Sequence, residues 1–411
     1  MKLKVQQRVM KGDYMKRENN NKTKVPWSAF IKDVLICSLG SYGGPEAHYG
    51  VFSSILVNKK KYLTEEELTE MIGLYALVPG PSSTQTITAI GYYVGGPILA
   101  LLSFLVWTLP AIIIMGLIGV FFTQIEMNDG WKPIIHYLPA VAVAFIIYAA
   151  ITLSKKVLKE GKDYILFTIM LILSLLLVGY SMWVVPILLV FGGLVILLPQ
   201  LRKKSQHSVA YKPRWLILVV VIGLAVLNEG LRTWITAPWV TLYTSFYRYG
   251  YSVIGGGQIV IPLMIQDLVE SQSLISLRDF LSGYAIDQAI PGPLFSFAAF
   301  VSSRSFAGTG YSFFAGLLGG LSIFMPGTLL VFFMFPLWKS LRKITHVKYF
   351  LKGVTITAAS LITMTAITQS IELPGNIVAY GVVVLSLLLL LSKKLPAPLI
   401  VVIAAILGYI I

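Results

Sequence analysis

The chain has 411 residues, of which 56% are hydrophobic and only 12% charged, with a mean hydropathy of +0.78, against about 25% charged residues in a soluble domain. That composition excludes a soluble globular protein. It also removes the formal charge of +15 from the nucleic-acid class, because Lys and Arg sit in short segments between apolar runs and so report membrane topology. One cysteine, Cys37, excludes an intrachain disulfide, and His48, His136, His207 and His346 lack the spacing of metal ligands. No metal and no cofactor are expected.

Residues 1–26 form a polar, basic tail with no apolar stretch directly behind its first charges, which reads as cytoplasmic and not as a cleaved signal peptide. Residues 27–200 make a first unit. It contains "GSYGGPEAH" (Gly40 to His48), then Thr64 as N-cap of a solvated turn with Glu65, Glu66 and Glu67, then "ALVPGPSSTQ" (76–85). The run from Pro97 to Phe122 follows, longer than the roughly 20 residues that cross a bilayer. Residues 201–240 are a basic cytoplasmic loop and a linking helix. Residues 241–411 form a second unit, with "SVIGGGQIV" (252–260) and "AIPGPLFSF" (289–297).

The two units are copies. Gly43 and Gly255, Gly44 and Gly256, and Pro79 and Pro291 are each 212 positions apart, without a gap; Pro110 and Pro326 are 216 apart, so a small insertion separates the later helices. Basic segments (the tail, 58–61, 154–162, 201–214, 338–348, 392–394) alternate with poorly basic ones (123–132, 228–239, 371–376). With the basic set cytoplasmic, the GG and PGP segments of the first unit form two broken hairpins entering from the cytoplasm, four spanning helices follow, and one helix near Trp215 to Asn228 crosses alone. The second unit then starts from outside. The expected fold is an all-α polytopic membrane protein of two inverted-topology repeats, each with two broken or re-entrant helical hairpins followed by about four spanning helices, joined by a single linking helix. Inverted repeats with matched interruptions mark many secondary transporters.

"GGPEAH" followed by "LVPGPSSTQ", "IGYYVGG" and a helix carrying "LP", with a second copy holding "GGG" and "AIDQAIPGPLFSFAAF", resembles the chromate ion transporter family in its long, two-domain form. The resemblance covers the chain from about Phe30 onward. It implies a carrier in the cytoplasmic membrane that exports chromate and confers chromate resistance, with sulfate or another oxyanion as the other cargo that relatives point to. The partners expected are the oxyanion and the lipid bilayer; no nucleic acid is expected, and pairing as a homodimer is left open.

A helix interrupted at PGP leaves unsatisfied backbone groups, which in hydrocarbon must find protein, water or ligand. Gly80 and Gly292 permit backbone geometry that a side chain blocks, and Pro81 and Pro293 are placed to open a half-helix. The half-helix N-terminus is then an anion cradle. Ser82, Ser83, Thr84, Gln85 and Ser296 add hydroxyl and amide donors, and Gln258 and Gln288 extend that chemistry in the second unit. The expected binding residues are therefore Gly43, Gly44, His48, Pro79, Gly80, Pro81, Ser82, Thr84, Gln85, Gly255, Gly256, Gln258, Gln288, Pro291, Gly292, Pro293 and Ser296.

Two half-helix termini supply about one positive charge, short of the two negatives of a chromate or sulfate dianion. His48 and Arg304 are the candidates for the remainder. The bland alternatives are a neutral packing histidine and an arginine that snorkels to the headgroups. Asp287, four residues before the second PGP, either relays a proton, pairs with Arg304 or caps a helix; Glu46 faces either a vestibule or the coupling path. Export of a dianion from a negative-inside cell gains about 2.3 kcal/mol per charge per 100 mV, which favours efflux. An anion channel with a fixed pore is the competing class. An enzyme is disfavoured for want of a nucleophile, a metal cluster or a nucleotide loop.

Overall fold

In hydrocarbon every backbone N–H and C=O must be satisfied within the protein, which leaves helices as the solution for apolar runs of this length. The computed structural model describes residues 25–76, 78–180, 184–201, 215–253, 260–337, 345–373 and 377–410, and among them all regular structure is helical. Among the described residues five helical stretches are long and apolar enough to cross a membrane: Ser82–Met127, Lys132–Val157, Trp215–Trp234, Ser312–Met334 and Tyr349–Glu372. The molecule is an all-α polytopic membrane protein.

Helix α1 (Trp27–Gly40) and α2 (Pro45–Phe52, continued as a π-helical stretch Ser53–Lys59) form a first hairpin around Gly43 and Gly44. Its two ends meet. The rings of Phe30 and Tyr62 lie 5.1 Å apart, Tyr62 donates its hydroxyl to Asp33 at 2.6 Å, and Lys60 pairs with Asp33 at 3.0 Å. Helix α3 (Glu65–Tyr75) starts on a capping box between Thr64 and Glu67 and leads through Pro79–Gly80–Pro81 into α4 (Ser82–Met127). Non-helical backbone at Gly95 and Gly96 divides α4 into a half-helix, 82–94, and a long helix, 97–127. Tyr93, at the end of the half-helix, donates to Glu67 Oε1 at 2.7 Å, so this hairpin also closes on itself. At 14 and 11 residues, α1 and α3 are about 21 and 16 Å long, too short for a hydrocarbon core of about 30 Å. Neither is long enough to cross by itself.

Three more helices complete the first unit: α5 (Leu138–Val157), α6 (Gly161–Leu177) and α7 (Val184–Leu197). Helix α8 (Trp215–Trp234) links the halves. The pattern then repeats with α9 (Pro238–Ser252), α10 (Val260–Met264, continued as a π-helical stretch Ile265–Ser271), α11 (Leu277–Ala289), the second PGP, α12 (Phe297–Ser305), and α13 (Ser312–Met334). The last helices are α14 (Thr345–Glu372), α15 (Ile377–Ser392) and α16 (Ala397–Ile410).

The 212-residue register read from Gly and Pro holds in backbone detail. The π-helical stretches begin at Ser53 and Ile265, the N-caps of α3 and α11 are Thr64 and Ser276, and the left-handed residues pair as Lys61 with Ser273, Gly80 with Gly292 and Gly96 with Gly308. Gly96 and Gly308 share a φ of +81°. The insertion that shifts Pro326 to an offset of 216 therefore falls after Gly308, in the turn that opens α13.

The two pairs of hairpins open at opposite ends of the long helices. The first pair closes near Tyr93, where the long helix of α4 begins. The far end of that helix, at Thr123 and Glu126, receives Arg304 from the mouth of the second pair, where Arg304 also binds Asp279. Helix α13 mirrors this, since its C-terminal Phe332 and the following Phe335 stack on Tyr92 of the first pair at 5.9 and 4.7 Å. Tyr92 and Arg304 are themselves 212 residues apart. Small residues let these segments approach: a Cβ on Gly119 would lie 2.8 Å from the Phe300 carbonyl, and one on Gly316 3.0 Å from the Ala299 carbonyl.

The same close packing holds α7 to α14, where a Cβ on Gly353 would lie 2.0 Å from the Gly192 carbonyl oxygen, while Gly73 on α3 faces open space. Gly353→Leu is expected to lower the melting temperature in detergent by more than about 3 °C, as overpacking of about 1–3 kcal/mol implies, whereas Gly73→Leu leaves it unchanged. Equal melting temperatures for the two variants would contradict this packing.

Candidate functional site

Each of the two PGP breaks rests on the long helix of the opposite repeat and is tied to that repeat. The Gly80 N–H donates to the Val253 carbonyl at 2.7 Å, and the Gly292 N–H donates to the Ser41 carbonyl at 2.8 Å. The acceptors are 212 residues apart, as are the donors, so the two bonds are images of one another. Each glycine also rests on the residue after the proline of the opposite long helix. A Cβ on Gly80 would lie 2.7 Å from Gly327 Cα, and one on Gly292 2.6 Å from Ala111 Cβ. With φ of +124° and +128°, these are positions that L side chains rarely adopt.

Around the first break the side chains are hydroxyls backed by aromatic donors. Tyr49 gives its hydroxyl hydrogen to Ser82 Oγ at 2.9 Å, and Trp107 Nε1 donates to Thr84 Oγ1 at 3.1 Å. Because each oxygen accepts there, Ser82 and Thr84 keep their own O–H protons to give. His48, on α2, is fully buried; Nδ1 lies 3.0 Å from Ser83 Oγ, Nε2 has no hydrogen-bond partner, and the ring meets Trp107 edge-on at 5.3 Å. His48 also faces the Gly292 backbone of the second break. One imidazole thus bonds to the first break and lies near the second. Pro81 precedes the half-helix 82–94, whose first N–H groups have no acceptor within the helix.

Around the second break the chemistry differs. Asp287 is 4% exposed, accepts the Ser296 hydroxyl at 2.6 Å on Oδ1, and has no partner for Oδ2. Pro293 opens a short 3-10 turn, Leu294–Ser296, before α12. Gln288 is buried beside Asp287.

Several expected residues are engaged otherwise than the sequence indicated. Gln85 spends its amide hydrogens on the carbonyls of Pro79, at 2.8 Å, and Gly327, at 3.1 Å, leaving only Oε1 without a partner. Ser296 gives its hydroxyl to Asp287, not to the gap. The pairing of Asp287 with Arg304 is not what the structure holds: Arg304 donates to Asp279, Glu126 (2.9 Å) and Thr123, at the hairpin mouth. The eight residues from Asp279 to Asp287 along α11 put about 12 Å between the two levels. Gly43 and Gly44 form the tip of the first hairpin with φ of +83° and +95°. Gly255, Gly256 and Gln258, together with the basic tail to residue 24, lie outside the described residues, as does the side chain of Glu46.

The sequence reading missed Trp107, Tyr49 and the Ser38 hydroxyl, which donates to the Trp107 carbonyl at 2.9 Å. The available signal was a tryptophan in mid-helix, since Trp in membrane helices favours the interfaces. A buried ionic cluster was also missed, in which Arg248, Tyr249 and Gln272 all bind Asp267. Beside the mouth that holds Arg304 lies a cavity of about 380 Å³ lined by His136, Arg278, Gln369 and Glu372 among apolar residues.

These features define a polytopic helical membrane protein with two copies of one unit and buried hydroxyl groups beside its interrupted helices. The sequence pattern of the family described as "Chromate transporter" matches residues 28–198 and again residues 240–409. The chain belongs to the chromate transporter family, a family of transport proteins and not of enzymes. An uncharacterized transporter of Methanocaldococcus jannaschii is 24% identical, over 98% of this chain and 97% of its own length. A probable chromate transport protein of Synechococcus elongatus is 26% identical (90% and 91% covered), and a chromate transport protein of Cupriavidus metallidurans is 25% identical (90% and 89% covered). No solved structure matches.

Gly80→Ala and Gly292→Ala are each expected to destabilise the protein by about 1–3 kcal/mol through the forced backbone, read as a lowered melting temperature. Adding Ala111→Gly to Gly292→Ala should recover the steric share and leave the backbone share. A Gly292→Ala protein as stable as wild type would contradict the tight, left-handed geometry.

Proposed function

We propose that this chain is a secondary carrier that exports chromate across the cytoplasmic membrane, binding it between the two PGP breaks. The observation that carries the reading is the convergence at His48 of the first break, through Ser83, and the second, through the Gly292 backbone. The oxyanion takes hydrogen bonds from the first-turn amides of the half-helix 82–94, from the free O–H protons of Ser82 and Thr84, and from His48 Nε2, with Nδ1 accepting from Ser83. These donors recognise a tetrahedral dianion by shape and charge, and a helix N-terminus contributes roughly half a positive charge to it. Pro79, Pro81, Pro291 and Pro293 hold the breaks open, and Gly43 and Gly44 let α2 bring His48 to the centre. Gln288, buried beside Asp287, belongs to the matching wall of the second repeat.

The halves are read as inverted repeats, with residues 27–200 entering from the cytoplasm and 241–411 from outside. The opening of the hairpin pairs at opposite ends of α4 supports that reading. Arg304, with Asp279 and Glu126, then closes the outer mouth, and Asp33 with Lys60 and Tyr62 the inner one. Rocking one repeat against the other opens the mouths in turn. A dianion leaving a negative-inside cell gains about 4.6 kcal/mol at 100 mV, at about 2.3 kcal/mol per charge. The family membership and the relatives named as chromate transport proteins support chromate as cargo.

The test is counterflow of labelled chromate in liposomes containing the full-length protein. Wild-type flux should saturate, accelerate with chromate on the far side, and fall by more than tenfold in Gly80→Leu and Gly292→Leu. Flux that does not saturate would indicate a channel, preferential competition by sulfate would change the cargo, and wild-type rates in both variants would remove the breaks from the mechanism.

A further inference from the structure

The two breaks are related by the repeat, yet their chemistry is not. At the offset of 212, Thr84 corresponds to Ser296 and Tyr75 to Asp287, while His48 corresponds to Val260. The first break thus gathers hydroxyl and imidazole groups, which suit an anion. The second gathers a carboxyl group, which repels one.

Asp287 differs from the other buried aspartates. Asp33 is paired with Lys60 at 3.0 Å, Asp163 with Lys352 at 2.8 Å, Asp267 with Arg248, and Asp279 with Arg304. Asp287 has the Ser296 hydroxyl on Oδ1, the Phe297 backbone N–H facing its carboxyl group and no hydrogen-bond partner on Oδ2, and it meets no cation among the described residues. It also lies in the last turn of α11, which ends at Ala289, where the helix dipole presents its negative end. An ionised carboxyl group here would be a bare charge in a low-dielectric site, next to the place where a dianion must come.

We infer that Asp287 is a proton-binding site of the transport cycle, so that the anion held at the first break crosses together with one proton held on Asp287 at the second. The inference rests on the carrier reading above. The proton is taken from water at one face onto Oδ2, making a neutral carboxylic acid while the anion is bound, and is returned to water at the other face when the anion leaves. Net movement is then one negative charge per chromate, so export still runs down a negative-inside potential.

The surrounding ionisable groups leave Asp287 as the one in position for this role. Of the elements packed against α11, α12 offers Arg304, held by Asp279 and Glu126, and the π-helical stretch offers Asp267, held by Arg248, and the exposed Glu270. Helix α5 offers Tyr148 and, at its far end, the exposed Lys155 and Lys156; α16 offers the exposed Tyr409. Tyr284 lies one turn away on α11 itself, and His48 lies across the gap beside Gly292.

The experiment uses full-length protein in liposomes loaded with a pH-sensitive dye, with the potential clamped to zero and a chromate gradient imposed. Wild type is expected to move about one proton per chromate in the same direction, equally well when sodium is replaced by choline. In Asp287→Asn the proton-to-chromate ratio should fall at least tenfold and the pH dependence of counterflow should flatten; Asp287→Glu should restore both. Chromate flux without proton movement in wild type overturns the proposal, as does a requirement for sodium. A ratio near one that survives in Asp287→Asn also overturns it, because the proton then rides on the anion as hydrogen chromate. If Asp287→Asn does not fold, the wild-type ratio and the glutamate variant still decide. Absence of chromate counterflow in wild type would instead refute the carrier reading itself.

Discussion

The architecture depends on one reciprocal pair of hydrogen bonds, from the Gly80 amide to the Val253 carbonyl and from the Gly292 amide to the Ser41 carbonyl. A PGP sequence cannot continue a helix, and in a bilayer the groups it frees have no water to turn to. Each break is satisfied by a carbonyl of the other repeat. Neither repeat can therefore form its centre alone. The glycines are required twice over, by their left-handed backbone and by the approach of Gly327 and Ala111 to within a Cβ's reach.

Charge is distributed accordingly. Ion pairs gather at the hairpin mouths, as Asp33 with Lys60 and as Arg304 with Asp279 and Glu126, where their desolvation is partial. Around the two breaks themselves the side chains are mostly neutral, with Asp287 as the exception, while the buried Arg248–Asp267 pair lies further along the second repeat's hairpin. A carrier that held its cargo with an arginine in the centre would bind a dianion too tightly to release it, whereas backbone dipoles and hydroxyls hold it by many weak contacts. Each repeat contributes a different part of this centre despite a common backbone, and in the proposed cycle that asymmetry separates anion binding from proton binding.

Much of this was legible in the sequence because membrane insertion leaves few solutions. Long apolar runs can only be helices, and Gly43, Gly80 and their partners stand out because a broken helix in hydrocarbon has to be repeated, satisfied or avoided. The two broken segments and about four further helices expected in each half came from the repeated GG and PGP interruptions read together with the basic flanks. What the sequence did not reveal lies in side-chain partnerships. Nothing in "SSTQ" says that Gln85 turns back to the Pro79 carbonyl, or that Arg304 sits at a mouth about 12 Å from the level of Asp287. Trp107 and Tyr49 come from segments remote in sequence, and only folding brings them to Thr84 and Ser82.

The central claim is that two breaks 212 residues apart form one anion site. Its most direct test is chemical protection in the cysteine-free Cys37→Ser background, with Ser83→Cys and Ser296→Cys labelled separately by a small thiol reagent in membranes. The expected result is that chromate slows labelling at both positions with the same half-protecting concentration, and that the cysteine at each position is reached from either side of the membrane. Protection at only one position, or half-protecting concentrations that differ by more than about tenfold, equivalent to 1.4 kcal/mol, would contradict a single shared site.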